Sequence, residues 1–352
     1  MSRPAGMLRV LAAPDKFRGT ATASQAAAAM AAGIAAGAAD APRAVLPCRQ
    51  LPLADGGEGT LDVFGGANRV TAVTGPLGTA VDAGWRLDAG RAVIEMATAS
   101  GLLLAGGAHG NDPMAASTRG TGELIAAALG AGATDILVGV GGSASTDGGS
   151  GALTVLAPGD GPSALPAGVR LRVCADVRTR FLDAAAVFGP QKGASPEQVV
   201  VLSARLADLR QQYRDRFGVD VQALDRSGAA GGLSGGLAAI GAELVEGFDT
   251  LADAAGLDRA LDEMLGGAAL VVTGEGRFDA QSLDGKVVGG VIARARKRDL
   301  PVLVVCGASD PSVPVPAGVT VTALVDLFGT DAALSDTARC IERAVAAHLV
   351  SR

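Results

Sequence analysis

Histidine and aromatic side chains are scarce in this chain, and each shortage removes a class of chemistry. Two histidines, His109 and His348, stand among 352 residues. With so few, neither a Ser-His-Asp triad nor a histidine-built zinc centre is expected, and acid–base work falls to Asp, Glu or Lys. Aromatics make up 3% of the residues, which leaves no stacking platform for single-stranded bases. The net charge of −6 and a pI near 5.1 argue against nucleic acid, whose phosphates demand a basic face. The four cysteines (Cys48, Cys174, Cys306, Cys340) lie far apart with no C-x-x-C spacing and read as incidental thiols of a reducing compartment. No run of about 18 clean apolar residues offers a membrane span. The apolar stretch Met7–Ala13 is too short for a secretory signal and leads straight into Pro14-Asp15-Lys16, so a cytoplasmic location is expected. A G-x-x-x-x-G-K-[ST] loop is missing, as are the glycine loop and H-R-D set of protein kinases.

What is present is a hydrophobic, glycine-rich chain: 49% apolar residues and 51 glycines, long enough for two domains with cores of their own. Leu8–Ala13 reads as a buried strand, followed by a helix over Ala23–Ala38 with Thr22 or Ser24 as its cap. Arg43–Cys48 reads as a second strand. From Arg69 the rhythm changes to short β segments, Val70–Val73, Val81–Leu87 and Arg91–Met96, joined by hairpin signals. Then come a helix at Gly120–Gly130, strands at Asp135–Val140 and Val169–Val173, a charged helix at Pro196–Phe217 and a helix at Leu237–Leu244. The first pattern resumes with apolar strands at Ala268–Thr273, Pro301–Cys306 and Val319–Val325, a helix near Asp284–Arg298 and a closing helix at Thr337–Leu349. Two strands at the start and three at the end, with helices between, predict a flavodoxin-like doubly wound parallel sheet carrying an inserted second α/β domain. The expected boundaries are 1–67 plus 245–352 for the first domain and 68–244 for the insert.

The polar loops follow strands, where ligands bind in such sheets. The densest is Gly139–Gly151, GVGGSASTDGGSG, with six glycines, four hydroxyl residues and one acid, Asp147. Glycine permits close backbone approach and positive φ, so successive amides can face one anion. A second glycine cradle, GAAGGLSGG, spans Gly228–Gly236.

Several of these loops share one family's wording. APDKFRGT (Ala13–Thr20), LPLADGGEGT (Leu51–Thr60), VIEMATASGL (Val93–Leu102) and STRGTGELI (Ser117–Ile125) resemble the bacterial glycerate 2-kinases. So do VGVGGSASTDGGSGAL (Val138–Leu153), FGPQKGAS (Phe188–Ser195), GAAGGL and TGEGRFDAQSLDGK (Thr273–Lys286), in the family's order. The resemblance implies phosphate transfer from ATP to D-glycerate, giving 2-phosphoglycerate, with Mg²⁺ as cofactor. It also implies the flavodoxin-like domain with its insert. Two departures touch the insert: the stretch from Gly151 to Val173 is shortened, and the family's Cys-Asp-Val is here Cys174-Ala175-Asp176-Val177. They leave room for a kinase of another small hydroxy acid, for 3-phosphoglycerate as product, or for a non-catalytic sensor of nucleotide or acid.

Phosphoryl transfer is positioning plus charge neutralisation, so the candidates are acids, cations and glycine cradles. Asp147, Asp55, Asp176 and Lys16 are the catalytic candidates, with Asp55 and Asp147 also the candidate metal ligands. Arg18, Arg119, Gln191, Lys192, Glu275 and Arg277 are candidate substrate contacts; Arg119 in particular suits a bidentate grip on a carboxylate. Gly141, Gly142, Ser143, Gly148, Gly149, Gly231, Gly232 and Lys286 are candidate nucleotide contacts. Lys286, early in a helix, is poorly placed against the helix dipole and so better suited to phosphate. The expected partners are glycerate and ATP, with a homodimer as the candidate assembly and no nucleic acid or membrane.

Overall fold

The computed structural model of the chain describes residues 6–159, 165–283 and 286–351. Its eleven described strands are β1 (Arg9–Ala12), β2 (Arg49–Gln50), β3 (Arg69–Thr74), β4 (Ala80–Asp88), β5 (Arg91–Glu95), β6 (Asp135–Gly139), β7 (Arg170–Ala175), β8 (Glu243–Glu246), β9 (Ala269–Phe278), β10 (Val302–Ser309) and β11 (Val319–Ala323). They divide between two compact units, Met1–Ala54 with Phe248–Arg352, and Asp55–Gly247.

In the first unit the strand order is β11-β10-β9-β1-β2, all parallel. Counted within the unit this is the 2-1-3-4-5 order of flavodoxin-like sheets. The apolar runs explain it. Leu11, Val271, Val302 and Val304 face one buried cluster, while Val10, Ala12, Leu270, Val272, Leu303 and Val305 face another. Alternate residues enter opposite cores, so both faces of the sheet are dry and the strands read as near-continuous Val/Leu runs. The helix Ala23–Gly37 begins at Thr22 with a capping box to Gln25, as a Thr at that position favours. It lies against the C-terminal helix Thr337–Val350. Gly33 and Gly37, one turn apart, let the backbones meet: a methyl on either would overlap the carbonyls of Glu342 or Ala346.

The second unit holds a mixed sheet in the order β3-β4-β5-β6-β7-β8, antiparallel from β3 to β5 and parallel from β5 to β8. The chain enters this unit at Asp55, ahead of the change of rhythm at residue 68. The reason is local. Gly141 N donates to Gly56 O at 3.3 Å, and Leu61 N donates to the buried carboxylate of Glu95, tying the Asp55–Thr60 loop and the short helix Thr60–Val63 to this sheet.

Four sequence expectations shift. Arg43–Cys48 yields only a single bridge between Val45 and Leu8, and the strand forms at Arg49–Gln50. Pro47, with no amide to donate, separates the two. The expected helix Leu237–Leu244 is instead Leu233–Ala239, stopped by Gly241 at φ +103 and followed by β8. The Gly274–Arg277 segment is not a loop but the continuation of β9, because Gly274 and Gly307 let β9 and β10 approach without side-chain clash. The helix expected from Asp284 is described from Val287; Asp284, Gly285 and residues 160–164 of the shortened connection lie outside the described residues. Among the described residues no helix is long and apolar enough to cross a membrane.

The Gly33 contact yields a stability prediction. Gly33→Leu should lower unfolding free energy by about 1–3 kcal/mol, the usual range for overpacking. Urea denaturation reads this as a fall in midpoint at constant m; an unchanged midpoint would mean that the helices do not meet there.

Candidate active site

Each unit presents its own group of polar residues. In the first, the switch point of the sheet falls between β1 and β9, where strand order reverses and ligands bind beyond the carboxyl ends. There the chain leaving β1 supplies Asp15, Lys16 and Arg18. Asp15 is 8% exposed; its amide donates to Gly274 O at 2.9 Å and its Oδ1 accepts from the Lys16 amide at 2.7 Å. Lys16 Nζ stands 3.8 Å from the same oxygen. Arg18 is exposed, with its amide close over Gly276.

The end of β9 supplies Glu275 and Arg277. Glu275 is half-buried, and its Oε1 has no hydrogen-bond partner among the described residues. Burial pushes its carboxyl up to about 7, opposed by a hydrogen bond from Ser282, reinforced by Asp15 and opposed again by Lys286. Arg277 is exposed, 3.8 Å from Asp279. Lys286 caps the helix Val287–Arg296 without a capping side chain, and its Nζ donates to Gln281 at 3.2 Å. Lys16, Arg18, Glu275, Arg277 and Lys286 therefore share one end of one sheet.

In the second unit a cavity of about 310 Å³ is lined by Gly141, Gly142, Ser143, Asp176, Gln191 and Lys192, together with Gly56, Cys174 and Ala230. Six sequence candidates, scattered over three loops, thus meet around one space. Asp176 and Gln191 are exposed at it; Lys192 is buried, 2% exposed, with its ammonium donating to Ser145 O. Burial pushes the lysine down to about 7, while Asp147 raises it. Cys174 is held up at about 12 by burial and stays a thiol. Ala230 takes a left-handed φ of +53, a strain of the kind that gathers at functional sites.

Asp147 is not among the cavity's lining residues. It is 6% exposed, and its two oxygens receive four hydrogen bonds: Thr118 N at 2.8 Å, Thr118 Oγ1 at 2.8 Å, Gly149 N at 3.1 Å and Gly151 N at 3.2 Å. Three of these donors converge on Oδ2 and only Gly149 N reaches Oδ1, so Oδ2 is fully committed while Oδ1 keeps an acceptor position. The glycines assigned to nucleotide also have packing reasons. Gly148 N donates to Gly231 O at 3.0 Å, and a side chain on Gly232 would sit 2.8 Å from Gly148. Gly149 lies against Gly236 and Leu233. The two glycine cradles are pressed against each other, which explains Gly148, Gly149, Gly231 and Gly232 without a ligand. Arg119 bonds Glu123 of its own helix at 2.9 Å and Thr154 of the helix Ser150–Leu156 at 3.3 Å.

The two candidate metal acids are engaged to different extents. Asp147, 6% exposed, gives Oδ2 to three donors and Oδ1 to one. Asp55 accepts from Gly57 N at 3.0 Å through Oδ1 and keeps its second oxygen. Among the described residues no group of three or more His, Cys, Asp or Glu is gathered for a metal. Sequence reasoning missed Thr118, whose hydroxyl clamps Asp147 and also accepts from Ala152 N at 3.1 Å. The signal was its place in STRGT, overshadowed by the neighbouring arginine.

Comparison with known proteins follows from this geometry. The model of the "Glycerate kinase family" matches residues 10–158 and 161–350. A glycerate 2-kinase of Escherichia coli K12 is 37% identical over 345 residues, covering 88% of this chain and 87% of its own length. A glycerate kinase of Bacillus subtilis 168 is 36% identical over 338 residues, covering 86% and 85%. A crystal structure from Salmonella typhimurium LT2, assigned provisionally to a glycerate kinase 2, superposes with a TM-score of 0.78 at 32% identity, covering 98% of this chain and 99% of that one. A flavodoxin-like unit with an inserted α/β unit and charged strand ends defines a small-molecule kinase. The chain belongs to the glycerate kinase family.

Asp147→Asn tests the anchoring geometry. The amide nitrogen must either face the Thr118 and Gly151 donors or displace the Gly149 bond, so unfolding free energy should drop by about 1–3 kcal/mol. Unchanged stability with turnover down about 100-fold would instead return Asp147 to the chemistry.

Proposed function

We propose that the protein transfers the terminal phosphoryl group of ATP to D-glycerate, with Mg²⁺, giving 2-phosphoglycerate. The observation that carries this reading is the switch-point cluster: the half-buried Glu275 at the end of β9, with Asp15, Lys16 and Lys286 at the same end of the sheet. Phosphoryl transfer needs a group to take the hydroxyl proton and cations to meet phosphate charge, and little else from the protein. Glu275 is our candidate proton acceptor, since a base works best with a pKa near the operating pH. Lys16, Lys286 and Arg277 are the candidate phosphate contacts, with Arg18 beside them.

Mg²⁺, when bound, would supply charge neutralisation at the phosphates, and Asp55, with one hydrogen bond on Oδ1, is the less committed of the two candidate acids to hold it. Asp176 and Gln191 are candidate substrate contacts on the cavity of the inserted unit. The names of the E. coli and B. subtilis relatives support glycerate as the acceptor, and the former supports the 2-position.

Coupled ADP release with Mg-ATP and a panel of D-glycerate, L-glycerate, glycerol and tartronate should show turnover confined to D-glycerate. Phosphorus NMR of the product should show the 2-phosphate; an exclusive 3-phosphate would overturn the regiochemistry, and no turnover would overturn the reading.

Glu275 gives a paired prediction. As base it must be ionised, so kcat should fall as pH drops below about 7, and Glu275→Gln should lower kcat by about 100-fold or more. The sign of the stability effect is opposite. A carboxyl raised in the fold is stabilised neutral, so its contribution is lost as pH rises through the folded value. Glu275→Gln should therefore melt above the wild type at pH 8. A variant that is slower but no more stable would deny the burial penalty.

A further inference from the structure

We propose that Lys192 is the counter-ion of an anion subsite within the inserted unit, taking a carboxylate or phosphate group of one of the two substrates. The inference rests on the kinase reading above and concerns where one substrate's charge is received.

Lys192 is 2% exposed, yet its ammonium has a single hydrogen-bond acceptor among the described residues, the carbonyl of Ser145. An ammonium has three donors, and sealing it from water with two unmatched is unfavourable unless an anion arrives. Asp147, the charge coupled to it, forms no ion pair with it among the described residues: its Oδ2 is taken by Thr118 and Gly151, and its Oδ1 accepts from Gly149. Asp147 holds the loop and lends a field, but leaves the lysine without an ion pair.

Three further observations point to a ligand rather than a structural lysine. First, Lys192 lines the cavity, with the polar side chains of Ser143 and Gln191 on the same wall. Second, Ser145 and Thr146, on the loop that accepts from Lys192, are fully buried with hydroxyls that have no partner. Third, the lysine is held in place by its own backbone, since Asn111 Nδ2 donates to Lys192 O at 2.9 Å and to Ala144 O at 3.0 Å, stitching the two loops together. At about 310 Å³ the space lies at the small end of ligand pockets, which fits a compact anion. Of the other titratable groups on the cavity, Cys174 stays neutral and Asp176 is exposed.

The experiment uses the full chain and separates the two sources of anion. Steady-state KM for D-glycerate and for ATP is measured in the wild type and in Lys192→Met from pH 6 to 9. In the wild type, KM for one substrate should rise about tenfold per pH unit above about 7, as the lysine loses its proton. Lys192→Met should raise that same KM at least about tenfold at pH 6.5, as loss of a charge-assisted bond does, and abolish its pH dependence. Which KM moves identifies the occupant, the acid's carboxylate or the nucleotide's phosphates. Should the variant fail to fold, titration calorimetry of the wild type with D-glycerate at pH 7.5, in two buffers of different ionisation heat, reads proton uptake directly; ATP is titrated in parallel. Uptake with either supports the subsite. Normal wild-type turnover with flat KM profiles and no proton uptake would overturn Lys192 alone, whereas absent turnover would overturn the kinase reading beneath it.

Discussion

A buried carboxylate that gathers four donors fixes the most glycine-rich part of this protein. The Gly139–Gly151 loop is too rich in glycine to hold a shape by itself, since each glycine brings conformational freedom that folding must remove. Asp147 removes it by gathering amides from the loop's second half and both donors of Thr118, which lies 29 residues earlier in the chain. Tyr213 adds a bond to Gly148 O at 2.9 Å, and a methyl on Gly148 would sit 3.0 Å from the Phe181 ring. The loop's residues Gly141–Ser143 then line the cavity from a rigid base, while Gly148–Gly151 serve packing.

This division also explains how the inserted unit can carry an unpaired buried cation. Rigid surroundings over-determine Lys192, so it cannot relax toward water, and its charge becomes available to a ligand. The flavodoxin-like unit solves a similar problem with the opposite sign. There the sheet, dry on both faces, ends in a half-buried Glu275, with Asp15 and two lysines at the same end. In both units a charge that the fold disfavours stands at a strand end or on a loop beside one, where preorganised groups serve phosphoryl transfer.

The fold was legible because its signals are long. Val/Leu runs such as Ala268–Thr273 and Pro301–Cys306 announce strands buried on both faces, and their count yields the sheet. What failed was short or set by distant contacts: Pro47 displaced β2, and Gly241 moved a helix end. The close approach of β9 and β10 kept Gly274–Arg277 in a strand that its glycines had made read as a loop. The site was half legible. Residue type and loop position singled out Gly141, Ser143, Asp176, Gln191 and Lys192 for three separate roles, and the structure places all five around one cavity. The same composition could not separate glycines that face a ligand from glycines that face each other, nor tell that Asp147 points into a cage of amides. That distinction depends on Thr118 and Gly231, which no local pattern links to Asp147.

The most direct test is a crystal structure of the protein with Mg²⁺, a non-hydrolysable ATP analogue and D-glycerate. The account predicts a carboxylate or phosphate oxygen within hydrogen-bond distance of Lys192 Nζ, with Asp147 still bonded to Thr118. An Asp147 released from Thr118, or a Lys192 ammonium still bonded only to Ser145 with both substrates in place, would contradict it.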